Sequence, residues 1–70
     1  MDDAVGHFED AIQTERAMGA RPWVAHAQYG LGEALLARGD DARARAVLAE
    51  AIAGYRELGM DSWAESAAAL

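Results

Sequence analysis

The chain has 70 residues and a formal net charge of −6, with 12 acidic residues against 6 basic ones. This length allows one small domain at most, and a hydrophobic content of 53% excludes disorder on composition grounds. The acidic excess disfavours nucleic-acid binding. No apolar run approaches the roughly 20 residues of a membrane span, and the acidic start Met1-Asp2-Asp3 is unlike a signal peptide. We expect a soluble, cytoplasmic protein that binds neither nucleic acid nor membrane.

Three glycines divide the chain into four predicted helices. Gly19, Gly39 and Gly59 are spaced 20 residues apart, and each stands where a helical pattern ends. Glycine just past a helix end adopts the left-handed conformation that closes the last turn. The sequence predicts helices over about residues 3–18, 22–38, 41–57 and 61–70.

Helix-start signals follow each of these glycines. Pro22 is placed at a first helical position, whereas Asp40-Asp41 and Asp61-Ser62 are expected to supply N-caps. Ser62 and Glu65 also fit a capping box.

Apolar residues recur at steps of three and four within every segment, which predicts one core-facing stripe per helix. In chain order the expected core positions are Ala4, Phe8, Ala11, Ile12 and Met18, then Trp23, Ala27, Leu31, Ala34 and Leu35, then Ala44, Val47, Leu48, Ala51, Ile52, Tyr55 and Leu58, and finally Trp63, Ala67 and Leu70.

The sequence also repeats itself at an offset of 40 residues. The identical pairs are Ala4/Ala44, Ala11/Ala51, Ile12/Ile52, Arg16/Arg56, Gly19/Gly59, Trp23/Trp63 and Ala27/Ala67. These matches agree in register with the turn signals, so the unit is a pair of helices. Two-helix units at a period between about 20 and 50 residues indicate a helical solenoid.

Nearly the whole chain resembles the tetratricopeptide repeat family. The resemblance lies in Leu31-Gly32-Glu33-Ala34-Leu35, Gly39-Asp40, Ala44, Leu48 and Ala51-Ile52. It implies an all-α fold of about four helices in antiparallel pairs, forming a solenoid that binds a protein or peptide partner and catalyses nothing. Gly32, Ala44 and Ala51 would then be small where two helices approach most closely.

The repeat departs from the common family pattern in three ways. Its unit is 40 residues instead of 34, Gln28 stands at a tryptophan-like position, and Arg56 replaces a terminal proline. Long-helix repeats of this kind look like the C-terminal regions of large bacterial LuxR-type regulators and signalling ATPases. An alternative function is therefore a ligand- or partner-sensing segment of such a regulator.

The first helix of each pair lines the concave surface in this family, which predicts a partner-binding surface. The residues expected there are His26, Tyr29, Glu33, Leu36 and Ala37. The lysine, asparagine and arginine with which some tetratricopeptide domains clamp a peptide carboxylate are absent from these positions. The mixed apolar and acidic surface would instead suit a basic or apolar peptide, or another part of the same polypeptide. Trp23 and Trp63 occupy equivalent positions, and we interpret them as inter-repeat core in preference to binding anchors.

No catalytic, cofactor-binding or metal-binding residue is predicted, and no cofactor is expected. His7 and His26 lack the ligand spacing of a metal site. Ser62, Ser66 and Thr14 have no evident histidine partner. Gly30-Leu31-Gly32 follows no strand, so tight helix packing explains it better than a phosphate loop.

In repeat phase the chain begins with a second helix and stops inside a first helix. Because repeats bury their apolar faces on neighbours, we expect either a fragment of a longer array or self-association. The predicted homodimer would pair the outer faces of the first and fourth segments, with Phe8 and Trp63.

Overall fold

Four α-helices account for most of residues 4–70, the part of the chain described by the computed structural model. In chain order they are α1 (Ala4–Met18), α2 (Arg21–Ala37), α3 (Asp41–Glu57) and α4 (Asp61–Ala68). The described residues contain no strand, so the predicted all-α class is confirmed. The predicted start at residue 3 lies outside the described residues, and the fourth helix ends two residues earlier than predicted.

The glycine turns form as the sequence predicts. Gly19, Gly39 and Gly59 have φ angles of 72°, 83° and 74°, in the left-handed region. At the second turn the N–H of Gly39 donates to the carbonyl of Leu36 at 3.0 Å, and the N–H of Asp40 donates to that of Leu35 at 2.9 Å. This pair of bonds is a Schellman motif. Because each connection is so short, successive helices run in opposite directions.

The helix starts agree with the predictions in two of three cases. Pro22 lies in the first turn of α2, and Asp40 caps α3 by accepting a hydrogen bond from the Arg43 N–H at 3.4 Å. The predicted cap at Asp61-Ser62 is wrong. Met60 is the N-cap of α4 and contributes no side-chain hydrogen bond, which also removes the Ser62–Glu65 capping box. The Gly59 turn leads directly into α4, so only the residue just after the glycine can serve as cap.

Each helix packs against the next one along the chain, so α2 and α3 each have neighbours on two sides. Glycines allow the closest approaches. A Cβ on Gly32 would overlap the Leu48 side chain, and one on Gly30 would lie 2.5 Å from Cε1 of Phe8. The interpretation of this glycine-rich stretch as helix packing is therefore confirmed.

The core differs from the predicted stripe mainly at the ends of helices. Met18 is 69% exposed, although the spacing placed it in the core. Val5, Ala25 and Ala64 are buried without having been predicted. Phe8 packs inward against Gly30, which contradicts its place on an outer dimer surface. None of the four described helices has the length and apolar character needed to cross a membrane.

Candidate functional site

Five aromatic rings meet on the side of the molecule shared by α2 and α4. Trp23, His26 and Tyr29 project from one face of α2 because they are three residues apart, Tyr55 comes from α3, and Trp63 comes from α4. We call these five residues the aromatic cluster. The ring centroids of His26 and Trp63 are 4.7 Å apart, and those of Trp23 and His26 are 5.7 Å apart.

The floor of the aromatic cluster is the buried ring of Tyr55, which is 0% exposed. Its hydroxyl and Nδ1 of His26 are 2.8 Å apart and form a hydrogen bond whose donor depends on the imidazole tautomer. Burial, followed by the effect of Tyr29, raises the pKa of the Tyr55 phenol to about 12. The phenol is thus neutral near pH 7, and its hydrogen bond holds the His26 ring in place.

Both tryptophans lie largely on the surface, so their prediction as inter-repeat core is wrong. Trp23 is 61% exposed and Trp63 is 48% exposed. Trp63 rests on Tyr55, with the rings 25° from parallel and their centroids 6.0 Å apart. Trp23 lies in the first turn of α2, with its ring centroid 5.7 Å from that of His26. One side of each indole is supported while a large part remains open.

An apolar groove continues this surface toward the other end of α2. It encloses about 510 Å³, between the end of α2, the outer side of α3 and the end of α4. Ile52 lines the groove and also packs against the same core as Tyr29 and Tyr55, so the groove lies over the same part of the core as the aromatic cluster. Its other lining residues include Leu36, Asp41, Arg45, Ala67 and Leu70.

The structure brings three of the five predicted partner-binding residues to this surface. His26 and Tyr29 belong to the aromatic cluster, and Leu36 lines the groove. Glu33 and Ala37 are exposed on the same helix. Partner binding itself stays a prediction. The sequence did not indicate that Tyr55 and Trp63 belong to this surface, because their contacts with His26 span 29 and 37 residues. The one available signal was the match of Trp23 with Trp63 at an offset of 40 residues.

A second groove, of about 450 Å³, lies on a different side of α2 between α1 and α3. Arg16 pairs with Glu50 at 3.9 Å, and Arg21 pairs with Glu57 at 3.1 Å. Gln28, buried at the tryptophan-like position of the repeat, donates to Glu50 at 3.1 Å. One carboxylate oxygen of Glu15 is buried there without a hydrogen-bond partner. This groove is lined by paired charges that join the helices, in contrast to the aromatic side.

The remaining titratable groups form no second centre among residues 4–70. His7 is exposed and contacts Phe8, with ring centroids 5.9 Å apart. No group of three or more histidine, aspartate or glutamate side chains in the described part of the chain is placed to hold a metal ion.

The protein is thus an all-α protein of packed helix pairs that carries an exposed aromatic cluster and an apolar groove. Comparison of the chain with models of protein families, with characterised proteins and with solved structures found no significant match in any of the three.

Proposed function

We propose that the protein is a non-catalytic protein-protein interaction module that binds a peptide segment of its partner along the α2–α4 side. The observation that carries this proposal is the pair of exposed tryptophans beside an apolar groove. Tryptophan exposes a large apolar area, and it is enriched among residues that dominate binding energy. Elsewhere on the described surface, large apolar side chains such as Met18 stand alone.

The groove suits an extended or helical segment better than a small molecule. It is open along one side and runs beside α3 from Asp41 to Ile52, with Ala67 and Leu70 on its far side. Apolar side chains of a partner segment, spaced along its length, would fill such a groove and leave their polar side in water.

Charge selects the kind of partner. The module carries −6 overall. One acid and one base, Asp41 and Arg45, line the groove, and Glu33 of α2 and Asp61 of α4 are exposed. Opposite charge speeds association and suppresses wrong partners. The partner segment that fits is therefore apolar on one side and basic on the other.

We also propose that the helix pairs are long tetratricopeptide-like repeats. Support comes from the Gly39-Asp40 turn and from the close approach of Gly32 to Leu48, which match the residues that carry the resemblance. The tryptophan-like position is the departure, because Gln28 fills it with a buried amide bonded to Glu50 instead of an apolar side chain.

Selection from a random peptide library tests the binding proposal. Peptides of about 12 residues, long enough to span the groove, are displayed on phage and selected on the immobilised protein. We expect enrichment of sequences with spaced apolar residues and a net positive charge. Binding of the enriched peptides should weaken strongly in Trp63→Ala and in Leu36→Asp, which alter the two ends of the surface.

Met18→Ala is the matched control, because it removes an equally exposed large apolar residue away from this surface. Circular dichroism checks that each variant is folded. The proposal would be overturned if no sequence were enriched. It would also be overturned if the enriched peptides bound Trp63→Ala and Leu36→Asp as tightly as the unaltered protein. Sedimentation showing that Trp63 joins two copies of the chain would assign the same surface to self-association and would also overturn it.

A further inference from the structure

We propose that the aromatic cluster recognises an arginine side chain of the partner, held against the exposed faces of Trp23 and Trp63 next to His26. This inference rests on the proposed function and deepens it, because it names the chemical group that the aromatic end of the surface selects. The apolar groove beyond Ile52 would bind the rest of the segment.

The geometry offers two π-faces beside one polar ring. Trp23 and Trp63 border the same histidine at centroid distances of 5.7 and 4.7 Å, and both keep about half or more of their surface open. A guanidinium within about 6 Å of an indole centroid is attracted by the negative face of the ring. A flat cation at this place meets aromatic surface from two helices.

Two of the receiving rings, those of Trp63 and His26, are already held in position. Trp63 rests on Tyr55 and meets Tyr29 edge-on, with centroids 6.2 Å apart and an interplanar angle of 85°. The hydrogen bond between the Tyr55 hydroxyl and Nδ1 of His26 prevents rotation of the imidazole into the open space. A cation can therefore bind without first ordering these side chains, which lowers the entropic cost of binding.

The cation nearest to Trp23 in sequence is already paired elsewhere. Arg21, the arginine nearest to Trp23 in sequence, donates to Glu57 at 3.1 Å and is thereby engaged on the other groove. The sequence has no lysine. Exposed Asp61 lies two residues before Trp63 in the first turn of α4 and adds negative charge on this wall.

Arginine fits these observations better than lysine or an apolar anchor. Its guanidinium is planar, stacks on aromatic faces and is less strongly hydrated than an ammonium group. An apolar side chain would gain from the indoles but nothing from the acidic surroundings. The aromatic cluster should consequently discriminate between two residues of the same charge.

The test uses three amidated tetrapeptides as probes: tetra-arginine, tetra-lysine and tetra-citrulline, the last a neutral isostere of the first. Each is titrated into the full chain while the two indole N–H signals and the backbone amides are followed by NMR. We expect tetra-arginine to shift both indole signals and to bind more tightly than tetra-lysine, whereas tetra-citrulline should cause no saturable shift. Trp23→Ala should weaken tetra-arginine binding about two- to fivefold.

Trp23→Ala is the main variant because Trp23 is the more exposed tryptophan, so its loss is compatible with folding; Trp63→Phe is the second. Met18→Ala should bind tetra-arginine like the unaltered chain. The inference would be overturned if tetra-arginine and tetra-lysine bound equally tightly and the tryptophan variants bound tetra-arginine like the unaltered chain. It would also be overturned if neither indole signal shifted. If library-selected peptides depend on Trp63 and Leu36 but need no arginine, the proposed function stands and only this inference fails.

Discussion

Single atoms decide how closely the helices pack, and two glycines show this in opposite ways. A Cβ at Gly32 would overlap the Leu48 side chain, which is buried, whereas a Cβ at Gly54 would meet Ala25 at 3.5 Å, an ordinary contact distance. Gly32→Ala should destabilise the protein by about 1 kcal/mol, because overpacking costs more than the helix propensity gained. Gly54→Ala should stabilise it by about 0.5–1 kcal/mol.

Urea unfolding followed by circular dichroism measures both free energies. The two substitutions add the same methyl group to the interior of a helix, so each controls for the other. If both variants were stabilised to the same extent, the close approach of α2 and α3 at Gly32 would be wrong.

The buried phenol of Tyr55 predicts a specific loss of stability in alkali. Its pKa is raised from 10.0 to about 12. Between these values the unfolded chain has released a proton that the folded protein keeps, so the free energy of unfolding falls as pH rises. The chain has no lysine or cysteine to obscure the effect. Urea unfolding at several pH values from about 9 to about 11.5 should show this fall.

Tyr55→Phe is the control for the alkaline prediction. It removes the titrating group together with the hydrogen bond to His26, so its stability should start about 1 kcal/mol lower and then decline less with pH. Parallel curves for the two proteins would mean that Tyr55 titrates as an exposed phenol.

Residue-level predictions from the sequence succeed where the cause is local and fail where it is tertiary. Gly39 was identified correctly because a left-handed turn needs glycine whatever surrounds it. Trp23 and Trp63 were misplaced because spacing shows which side of a helix is apolar but not how far the neighbouring helix covers it. The bond between His26 and Tyr55 joins residues 29 apart, which no local pattern reveals.

At the level of the helices, capping distinguishes three otherwise equivalent turns. The N-caps of α2, α3 and α4 are Ala20, Asp40 and Met60, of which only Asp40 carries a side-chain acceptor. Asp40→Ala should destabilise the protein by about 0.5–1 kcal/mol, at the lower end of the usual range because its bond to the Arg43 N–H is long, at 3.4 Å.

Ser62→Ala is the informative comparison, since Ser62 was the cap expected from the sequence. Ser62 is exposed in the first turn of α4, where its hydroxyl caps nothing. Thermal unfolding of this variant should match the unaltered protein within about 0.5 kcal/mol. A loss as large as that of Asp40→Ala would restore the sequence-based assignment of the cap.

The helices themselves were predictable because several local signals agree at each boundary. Glycine, the residue after it and the change in apolar spacing place the ends of α2 and α3 within about one residue, closer than assignments usually agree. The end of α4 is less well determined, since the alanine-rich run from Ala67 to Ala69 contains no stop signal. The groove beside α4 could not be predicted, because it depends on how α2 and α4 are placed across α3.

At the scale of the whole molecule, neighbour-to-neighbour packing produces two unlike sides. One side carries the ion pairs of Arg16, Arg21 and Arg43 with acids of other helices. These pairs are exposed and each contributes about 0–1 kcal/mol. The other side carries the aromatic cluster and the apolar groove, which remain open. A partner that covers the second side leaves the ion pairs between the helices undisturbed.

The same packing predicts unequal stability along the chain. In a linear stack, α2 and α3 are each covered on two sides, whereas within the described structure α1 and α4 each pack mainly against one neighbour. With eight residues, α4 is also shorter than the roughly 12–15 that a helix needs on its own. Residue-level hydrogen exchange should therefore show the strongest protection in the middle of α2 and α3, weaker protection in α1 and the weakest in α4.

Binding of a selected groove peptide should raise the protection of α4 most, because Trp63 and Leu70 lie on that helix or directly after it. Uniform protection across all four helices would show that the molecule unfolds as one block, and the groove could then not be tightened by its partner in this way.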